Sequence, residues 1–497
     1  MTLMHSEMAI AAAVFRLPLP EYGVAPLLHR QAATVRRHNH IANAVRISTT
    51  TSSTSGSIST SAQPVGGAAP PLPLPLAARQ YGVLLCPEEQ QLLPQHFNPD
   101  APVVSSTTIT ELLRLPLPGP LRCSFSIRLH PDYHDSIVGH CNEWGLSLFD
   151  HPAGSPLPDA VREAFLGGLL SLLPSLAFPS GRVSARRLLL SAKLTLWYFL
   201  LDDSIDEADP QTATEIGKGY VTVLLSPRLA ASMKYSTSNT RIVKFLERFR
   251  VEVWDEIRRE MSPDLERRYV RECILSITAM KEMHDLMKSS MAADRECGNV
   301  QEKVKAMLER RLLDGFCWTF TTLLEYALGI ELPDPEGKTE MGRMVQKMIR
   351  VAGKQSLFVN ELLSFGKEYA RTDVRSVGGA MLGHHRPAGP VEDGGWADGG
   401  SAVEAMQDAI GEIWRIIQEE ERNAAALLCQ IRTLASPQGG SADSISVLYA
   451  EALCHFISGH FYWASLTWRY HGPHPVAWNT SPAYVRIHRI PPLNVLF

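Results

Sequence analysis

The sequence lacks several features that mark common classes of protein. Its 497 residues carry a net charge of −4, so it has no excess of Lys and Arg for binding nucleic acid through phosphates. None of its eight cysteines forms a C-x-x-C pair, which argues against a zinc site and against a disulfide scaffold. No uncharged apolar run reaches the roughly 18 residues that span a membrane. We therefore expect a cytoplasmic protein with no nucleic-acid partner and no membrane span.

The first 120 residues lack the apolar periodicity of a packed domain. Residues 48–61 are almost all Ser and Thr, and Pro alternates with Leu over residues 70–76, a composition typical of a linker. The first fifty residues are poor in acid and contain five arginines, which makes organelle targeting an alternative to the cytoplasm. We predict that residues 1–120 form a disordered or accessory extension and that residues 473–497 form a C-terminal tail.

Between these ends, residues 121–472 repeat apolar side chains at three- and four-residue spacing, the period of amphipathic helices. Strand signals are few, and the breaks fall where Gly and Pro cluster. The predicted helices cover Val161–Leu173, Ala185–Leu201, Thr240–Arg259, Leu265–Met287, Lys303–Leu328, Glu340–Ala370, Ala402–Arg432 and Ser444–Tyr470. The pattern predicts an all-α domain.

A group of three carboxylates ends the apolar, aromatic run that begins at Leu196. Asp202 and Asp206 are one helical turn apart on the same face, with Asp203 one step round. Carboxylates this close repel one another unless a cation shares the site, and Mg²⁺ takes oxygen ligands from carboxylates and substrate phosphates. The motif predicts a metal-diphosphate site at the mouth of an apolar cavity. Taken alone, it is also consistent with a solvated helix end.

A second oxygen-rich stripe lies in the predicted helix Glu340–Ala370. Asn360, Ser364 and Glu368 recur every four positions, and Lys367 falls on the same face as Asn360. An amide, a hydroxyl and a carboxylate are oxygen ligands suited to Mg²⁺, and a lysine is a point charge suited to phosphate. Because the flanking residues are apolar nearly all round, the stripe is predicted to be buried against something polar rather than solvated.

Two arginines offer further contacts to phosphate. Arg311 is followed by Asp314 and Gly315 at the third and fourth positions, and Gly315 inside a helical pattern invites a local break that frees a carbonyl. Arg469 is followed directly by Tyr470. The guanidinium fork matches phosphate oxygens. Either arginine, considered alone, is also explained as an ordinary surface or ion-paired side chain.

Together, these four motifs resemble those of the class I terpene cyclases of the bacterial and fungal sesquiterpene synthase type, over residues 123–472. The resemblance implies a cluster of three Mg²⁺ ions with the ligands Asp202, Asp203, Asp206, Asn360, Ser364 and Glu368. It implies that substrate diphosphate is bound by Arg311, Lys367, Arg469 and Tyr470. The catalytic residues that it implies are Asp202 and the sensor, linker and effector Arg311, Asp314 and Gly315.

The same resemblance sets expectations for fold, substrate and assembly. It implies one helical bundle around an apolar pocket, acting as a monomer or homodimer. The implied substrate is a linear prenyl diphosphate, farnesyl before geranyl or geranylgeranyl. Ionisation and cyclisation of its carbocation would give a sesquiterpene and free diphosphate.

The chain also departs from that family at three places. Glu361 stands where the family usually has Asp, at a position that is not normally a ligand, and we expect little effect. A Gly-rich segment, residues 373–401 with His384 and His385, replaces a shorter connection and is either a remodelled lid or an error in the gene model. The N-terminal extension has no counterpart in single-domain members.

Two alternative functions remain open from the sequence. A chain-elongating prenyl diphosphate synthase also starts from an allylic diphosphate, although it should carry a second aspartate-rich motif where this chain has Asn360, Ser364 and Glu368. A catalytically silent helical protein that binds prenyl diphosphate is the alternative from another class. Intact ligands at both metal faces argue against such decay.

Overall fold

The fold was analysed in a computed structural model. It describes residues 111–149, 157–178, 181–225, 239–290, 308–370, 399–435, 441–472, 476, 478 and 483–488. All of these belong to one compact unit, residues 80–497. The predicted linker, the targeting segment and nearly all of the Gly-rich segment lie outside the described residues.

Helices form almost everywhere that the sequence shows a three- and four-residue apolar period. Their bounds are α1 Val138–Leu146, α2 Asp159–Gly167, α3 Leu172–Ala177, α4 Ala185–Glu207, α5 Pro210–Leu225, α6 Thr240–Phe249, α7 Asp255–Glu260, α8 Pro263–Ser290, α9 308–314, α10 Cys317–Leu328, α11 Glu340–Ala370, α12 Gly399–Leu434, α13 Ser441–Leu466 and α14 Trp468–His471. Short π-helical turns, Tyr133–Ile137 and Arg250–Trp254, precede α1 and α7. The prediction of an all-α fold is confirmed.

Helix α4 lies in the interior of the bundle. It is apolar nearly all round, so it buries Leu188 and Leu194 on different faces and contacts α1, α3, α5, α8 and α10. The hydroxyl of Ser184 caps its first turn by accepting from the backbone N–H of Arg187 at 3.3 Å. Helix α11 packs against α10, α12, α13 and α14. These contacts place the C-terminal part of α4 and that of α11 on the border of the same pocket.

Two of the predicted helices are broken. The predicted helix Lys303–Leu328 ends at Asp314 and restarts at Cys317, with Phe316 in the left-handed region at a φ of 54°. The predicted helix Val161–Leu173 is interrupted between α2 and α3, where Leu169 has a φ of 51°. Trp463 Nε1 donates to the carbonyl oxygen of Leu169 at 2.9 Å. This hydrogen bond from a distant side chain satisfies a backbone carbonyl that an unbroken helix would have paired with its own N–H group, and it thus offsets the lost helical bond.

A two-stranded antiparallel sheet joins the two ends of the described chain. Strand β1, Glu111–Pro116, pairs with strand β2, Tyr484–His488, so that Leu115 lies opposite Val485. Both of these side chains are buried, and β2 packs against α11. The strands lie within segments for which we expected no regular structure. Each is too short for a clear two-residue period, and the partners are far apart in sequence.

One segment, Asp159–Ala177, has the length and composition of a membrane-spanning helix. It is broken into α2 and α3, and 56% of it is buried inside the fold. A segment that is broken and largely buried in this way is explained as part of the core of the bundle.

Candidate active site

A pocket with about 1300 Å³ of empty space, counting its open mouth, lies between the ends of α4 and α11. Its polar part is lined by Asp202, Asp206, Arg311, Asp314, Asn360, Lys367, Arg469 and Tyr470. Its apolar part is lined by Leu173, Tyr198, Phe199, Met280, Phe316, Phe320, Leu357, Phe456 and His460. The two oxygen-rich stripes of the sequence therefore meet at one chamber.

The aspartates lie in the last two turns of α4. Carboxylates at a helix C-terminus face the negative end of the helix dipole, and the last turn of α4 contains no basic residue to offset them. Arg469 does so from α14: its two Nη atoms donate to both carboxylate oxygens of Asp203, one of them at 2.9 Å. Its Nη2 also lies 3.6 Å from Asp202 Oδ2. Asp202 and Asp206 line the pocket, whereas Asp203 is engaged by Arg469.

The second stripe is divided by its position along α11. Asn360 and Lys367 line the pocket, and Asn360 Nδ2 donates to the Tyr470 hydroxyl at 2.6 Å. Because this bond uses the amide nitrogen, the amide oxygen of Asn360 remains available as a ligand for a cation. Ser364 is buried but is not among the residues that line the pocket. Glu368 is helical, and its side chain lies outside the described part of the structure.

Arg311 is held from two sides at the end of α9. Its Nη1 donates to Asp314 Oδ1 at 2.9 Å, and its Nε donates to Glu361 Oε1 at 3.0 Å. The helix breaks directly after this point, as expected from Gly315. A Cβ atom on Gly315 would lie 2.9 Å from the carbonyl oxygen of Arg311. The break therefore depends on a residue without a side chain.

Sequence reasoning missed the role of Glu361. Its side chain is fully buried, and its contact with Arg311 joins the two motifs. A carboxylate buried this deeply is retained only when a cation pairs with it. The available signal was a glutamate in a stretch that is otherwise apolar.

The apolar wall also contains a side chain that sequence reasoning did not single out. Tyr198 stacks on Phe316 with ring centroids 4.4 Å apart, and its hydroxyl accepts from Tyr220 at 3.1 Å. It also bonds Tyr269 and Cys273. Burial raises the pKa of the Tyr198 phenol well above its usual value. A neutral ring face is therefore presented at this wall.

The donor set of the polar part fits hard divalent cations. Asp202, Asp206 and Asn360 provide carboxylate and amide oxygens, which such cations prefer. Among the described residues, His, Cys, Asp and Glu side chains form no group of three or more suited to hold a metal. Such a group is absent from that part of the chain because Asp203 is paired with Arg469 and because the candidate oxygen ligands are divided between two helices. Substrate oxygens would complete such a shell.

Comparison with known proteins finds similarity to terpene synthases. Residues 193–384 match a family model described as terpene synthase family 2, C-terminal metal binding. The chain is 24% identical over 369 residues to (3S,6E)-nerolidol synthase of Selaginella moellendorffii, covering 74% of this chain and 86% of that protein. Over these residues the chain is similar to terpene synthases. The matched region contains both oxygen-rich stripes, and the matched domain is the metal-binding one.

Solved structures of terpene synthases share the fold of this chain. Linalool/nerolidol synthase from Streptomyces clavuligerus, in complex with 2-fluorogeranyl diphosphate, superposes with a TM-score of 0.51 at 18% identity, covering 68% of this chain and 100% of that one. α-Eudesmol synthase superposes with a TM-score of 0.50 at 17% identity, covering 71% of this chain and 98% of that one. The fold expected from the resemblance is confirmed.

Proposed function

We propose that this chain is a terpene synthase that ionises a linear prenyl diphosphate, farnesyl diphosphate first, in a reaction that depends on Mg²⁺, and converts the carbocation to a sesquiterpene. The observation that carries the proposal is the meeting of Asp202, Asp206 and Asn360 with three cationic side chains at one end of an apolar pocket. A substrate with a charged head and a hydrocarbon tail matches this division of polar and apolar walls.

Two relatives support the substrate class. Their names refer to nerolidol and eudesmol, both sesquiterpenes, for which farnesyl diphosphate has the matching fifteen-carbon skeleton. The Streptomyces clavuligerus enzyme was crystallised with a geranyl diphosphate analogue. Geranyl diphosphate is therefore the first alternative substrate, and geranylgeranyl diphosphate is the second.

Each polar side chain has a task in this reaction. Asp202, Asp206 and Asn360, together with Asp203, Ser364 and Glu368, would hold three Mg²⁺ ions. Metal ions so held supply Lewis-acid neutralisation of the departing diphosphate. Arg311, Lys367, Arg469 and Tyr470 would bind the diphosphate oxygens and stabilise the charge that develops on them.

Carboxylates pair with two of the arginines that would bind the diphosphate. Arg469 neutralises Asp203 in the described conformation, and if Asp203 instead held a metal ion, the Arg469 guanidinium would be free to bind the diphosphate. Asp314 and Glu361 hold Arg311 at the same rim. Diphosphate would thus be met by cations already oriented toward it.

The apolar wall keeps water from the cation. Phe199, Phe316 and Phe320 present aromatic rings along the pocket, and a ring face attracts a cation through its quadrupole. Exclusion of water prevents capture of the cation before rearrangement is complete.

The proposal is tested by incubating the purified full chain with Mg²⁺ and geranyl, farnesyl or geranylgeranyl diphosphate in turn. Released diphosphate and volatile products are measured by coupled assay and by gas chromatography with mass spectrometry. We expect a terpene hydrocarbon or alcohol from farnesyl diphosphate and no turnover in EDTA. An elongated diphosphate in the presence of isopentenyl diphosphate would instead show a chain-elongating synthase. Binding without turnover would show the silent alternative.

A pair of neighbouring carboxylates provides the matched control. Asp206→Asn removes a charge that lines the pocket, and Glu207→Gln removes one from an exposed position in the same turn. Loss of one electrostatic stabiliser lowers kcat roughly 100- to 1000-fold, so Asp206→Asn should lose that much. Glu207→Gln should stay close to wild type. Equal effects of the two changes would contradict the assignment of the metal face.

A further inference from the structure

His460 occupies an unusual place in the pocket wall. It lies on α13, is only 9% exposed and lines the pocket. Its ring centroid is 6.1 Å from that of Phe456 and 5.9 Å from that of Trp463. Trp463 in turn packs on Phe199, and Phe199 lies under the guanidinium of Arg469. Two aromatic rings therefore separate His460 from the diphosphate end.

The imidazole of His460 is not fixed by hydrogen bonds. Its Nδ1 is buried without a partner, and the described residues offer no hydrogen bond to Nε2 either. Two other histidines differ: His130 Nε2 lies 3.0 Å from the carbonyl oxygen of Val183, and His471 Nε2 lies 2.9 Å from that of Ala464. His455 also has a buried Nδ1 without a partner, but it does not line the pocket. An unpaired buried polar group costs about 1–3 kcal/mol. Such a group at a pocket wall indicates a partner that is present only when substrate is bound.

The charge state of His460 suits a base. Burial alone lowers its pKa to about 4, so the ring is neutral near pH 7 and keeps a free nitrogen lone pair. No charged group contributes to this shift, in agreement with the wholly aromatic contacts of the ring. A neutral imidazole can enter an apolar pocket without repelling an incoming cation.

Most other proton acceptors of the described pocket wall are committed elsewhere, and the Ser356 hydroxyl, which also lines the pocket without a partner, is a far weaker base than an imidazole. The hydroxyl of Tyr198 is bonded to other phenols. Burial raises the pKa of the Cys317 thiol to about 12, and its Sγ lies 3.7 Å from the carbonyl oxygen of Gly353. Asp314 is paired with Arg311, and Asp202 lies beside Arg469 at the diphosphate end. Among the described lining residues, His460 is the base that faces the hydrocarbon part.

From this geometry we propose that His460 is the catalytic base that accepts the proton released when the carbocation is converted to product. The inference rests on the proposed function. If a C–H bond next to the cationic carbon breaks, its electron pair forms the new C=C bond and its proton goes to the imidazole. If water adds instead, its oxygen lone pair forms the C–O bond and the proton leaves that oxygen for the imidazole. In either case the positive charge passes to His460, which then gives the proton to the released diphosphate or to solvent.

The position of His460 has a consequence for the product. A base acts only on a proton within hydrogen-bond reach. Because His460 lies on one wall of the apolar part, it selects which carbon loses a proton or gains a hydroxyl. Ionisation at the diphosphate end does not involve this ring.

The test separates ionisation from termination by using two measurements on each variant. His460→Phe keeps an aromatic ring and removes the lone pair, and His460→Asn keeps polarity without basicity. His455 is the matched control, because it lies on the same helix with an unpaired buried Nδ1 but does not line the pocket. Each protein is assayed with farnesyl diphosphate and Mg²⁺ for the rate of diphosphate release and for the product profile.

We expect His460→Phe to release diphosphate within about threefold of the wild-type rate, while the share of the main wild-type product falls roughly 100-fold or more, the contribution of a general base. His455→Phe should change neither measurement. An unchanged main product in His460→Phe would overturn the inference and show that the ring only fills space in the pocket wall. If His460→Phe does not fold, His460→Asn decides in the same way.

Two further outcomes complete the test. Oxygen from labelled water in the main product would assign the proton to water, and its absence from a hydrocarbon would assign it to a C–H bond. If wild-type enzyme gives no terpene from any prenyl diphosphate, the proposed function itself fails. If wild type gives a terpene and both His460 variants give the same one, only the role of His460 fails.

Discussion

Replacement of Glu361 by Gln removes the negative charge that holds Arg311 from the side of α11. The Glu361 side chain is 0% exposed and that of Arg311 is 18% exposed, with 3.0 Å between Oε1 and Nε. Loss of one partner from a buried ion pair costs about 3–5 kcal/mol. Asp314 remains beside the guanidinium and Gln still accepts a hydrogen bond, so we expect a fall in the free energy of unfolding of roughly 2–3 kcal/mol, below that range.

The effect on turnover has a separate estimate. A charge-assisted hydrogen bond contributes about 1.5–3 kcal/mol. If the whole of that orients Arg311 toward the leaving diphosphate, Glu361→Gln lowers kcat/KM roughly 10- to 150-fold, since each 1.4 kcal/mol is a factor of ten. The assay is steady-state release of diphosphate from farnesyl diphosphate, with stability measured by urea unfolding.

A second buried ion pair provides the control. Glu325 is 2% exposed and accepts two hydrogen bonds from Arg268, away from the pocket. Glu325→Gln should destabilise the fold at least as much while kcat/KM of the folded protein stays at the wild-type value. Should Glu361→Gln also keep wild-type kcat/KM, the pair with Arg311 would be structural only and the reasoning would be refuted.

Three further predictions address other parts of the site. Gly315→Ala should lower kcat/KM roughly tenfold or more, because a Cβ there would press on the Arg311 carbonyl at 2.9 Å and the oriented guanidinium would shift; unchanged kinetics would contradict this. Arg469→Gln should tighten Mg²⁺ binding without diphosphate, since Asp203 is freed, and weaken binding of inorganic diphosphate; calorimetry showing both changes in the same direction would argue against the competing pair. The pKa of His460 falls from 6.5 to about 4 on folding. The unfolded chain therefore binds this proton first as pH falls, and wild type should lose about 3 kcal/mol of unfolding free energy between pH 7 and pH 4 that His460→Phe does not lose. Parallel pH profiles of urea unfolding in the two proteins would contradict the burial of that ring.

The helices of this chain follow from local pattern because each is specified by its own residues. Apolar residues at three- and four-residue spacing predicted α4, α8 and α11 to within a few residues at most ends, since the period and the caps are local features. The break at Gly315 was readable for the same reason. The interruption at Leu169 was not, because it depends on a hydrogen bond from Trp463, far along the chain.

The types of residue in the motifs also predicted that the site binds a cation. Clustered carboxylates on one helix face and an oxygen stripe on another are ligands that hard cations prefer, so together they predicted an ion-binding site, although the aspartates taken alone were also consistent with a solvated helix end. Spacing does not say which members of a motif face the pocket. Asp203 turns to Arg469, and Ser364 is buried away from the lining.

What the sequence determined, then, is the helical class and the presence of the family motifs, from which metal binding is expected, because these depend on the order and type of neighbouring residues. The tertiary structure alone decided that Glu361 holds Arg311 across two helices and that β1 pairs with β2. It also decided that His460 meets the pocket without a hydrogen bond. The physical reason is common to all three: burial and pairing between distant segments arise only when the bundle packs, and no local period records them.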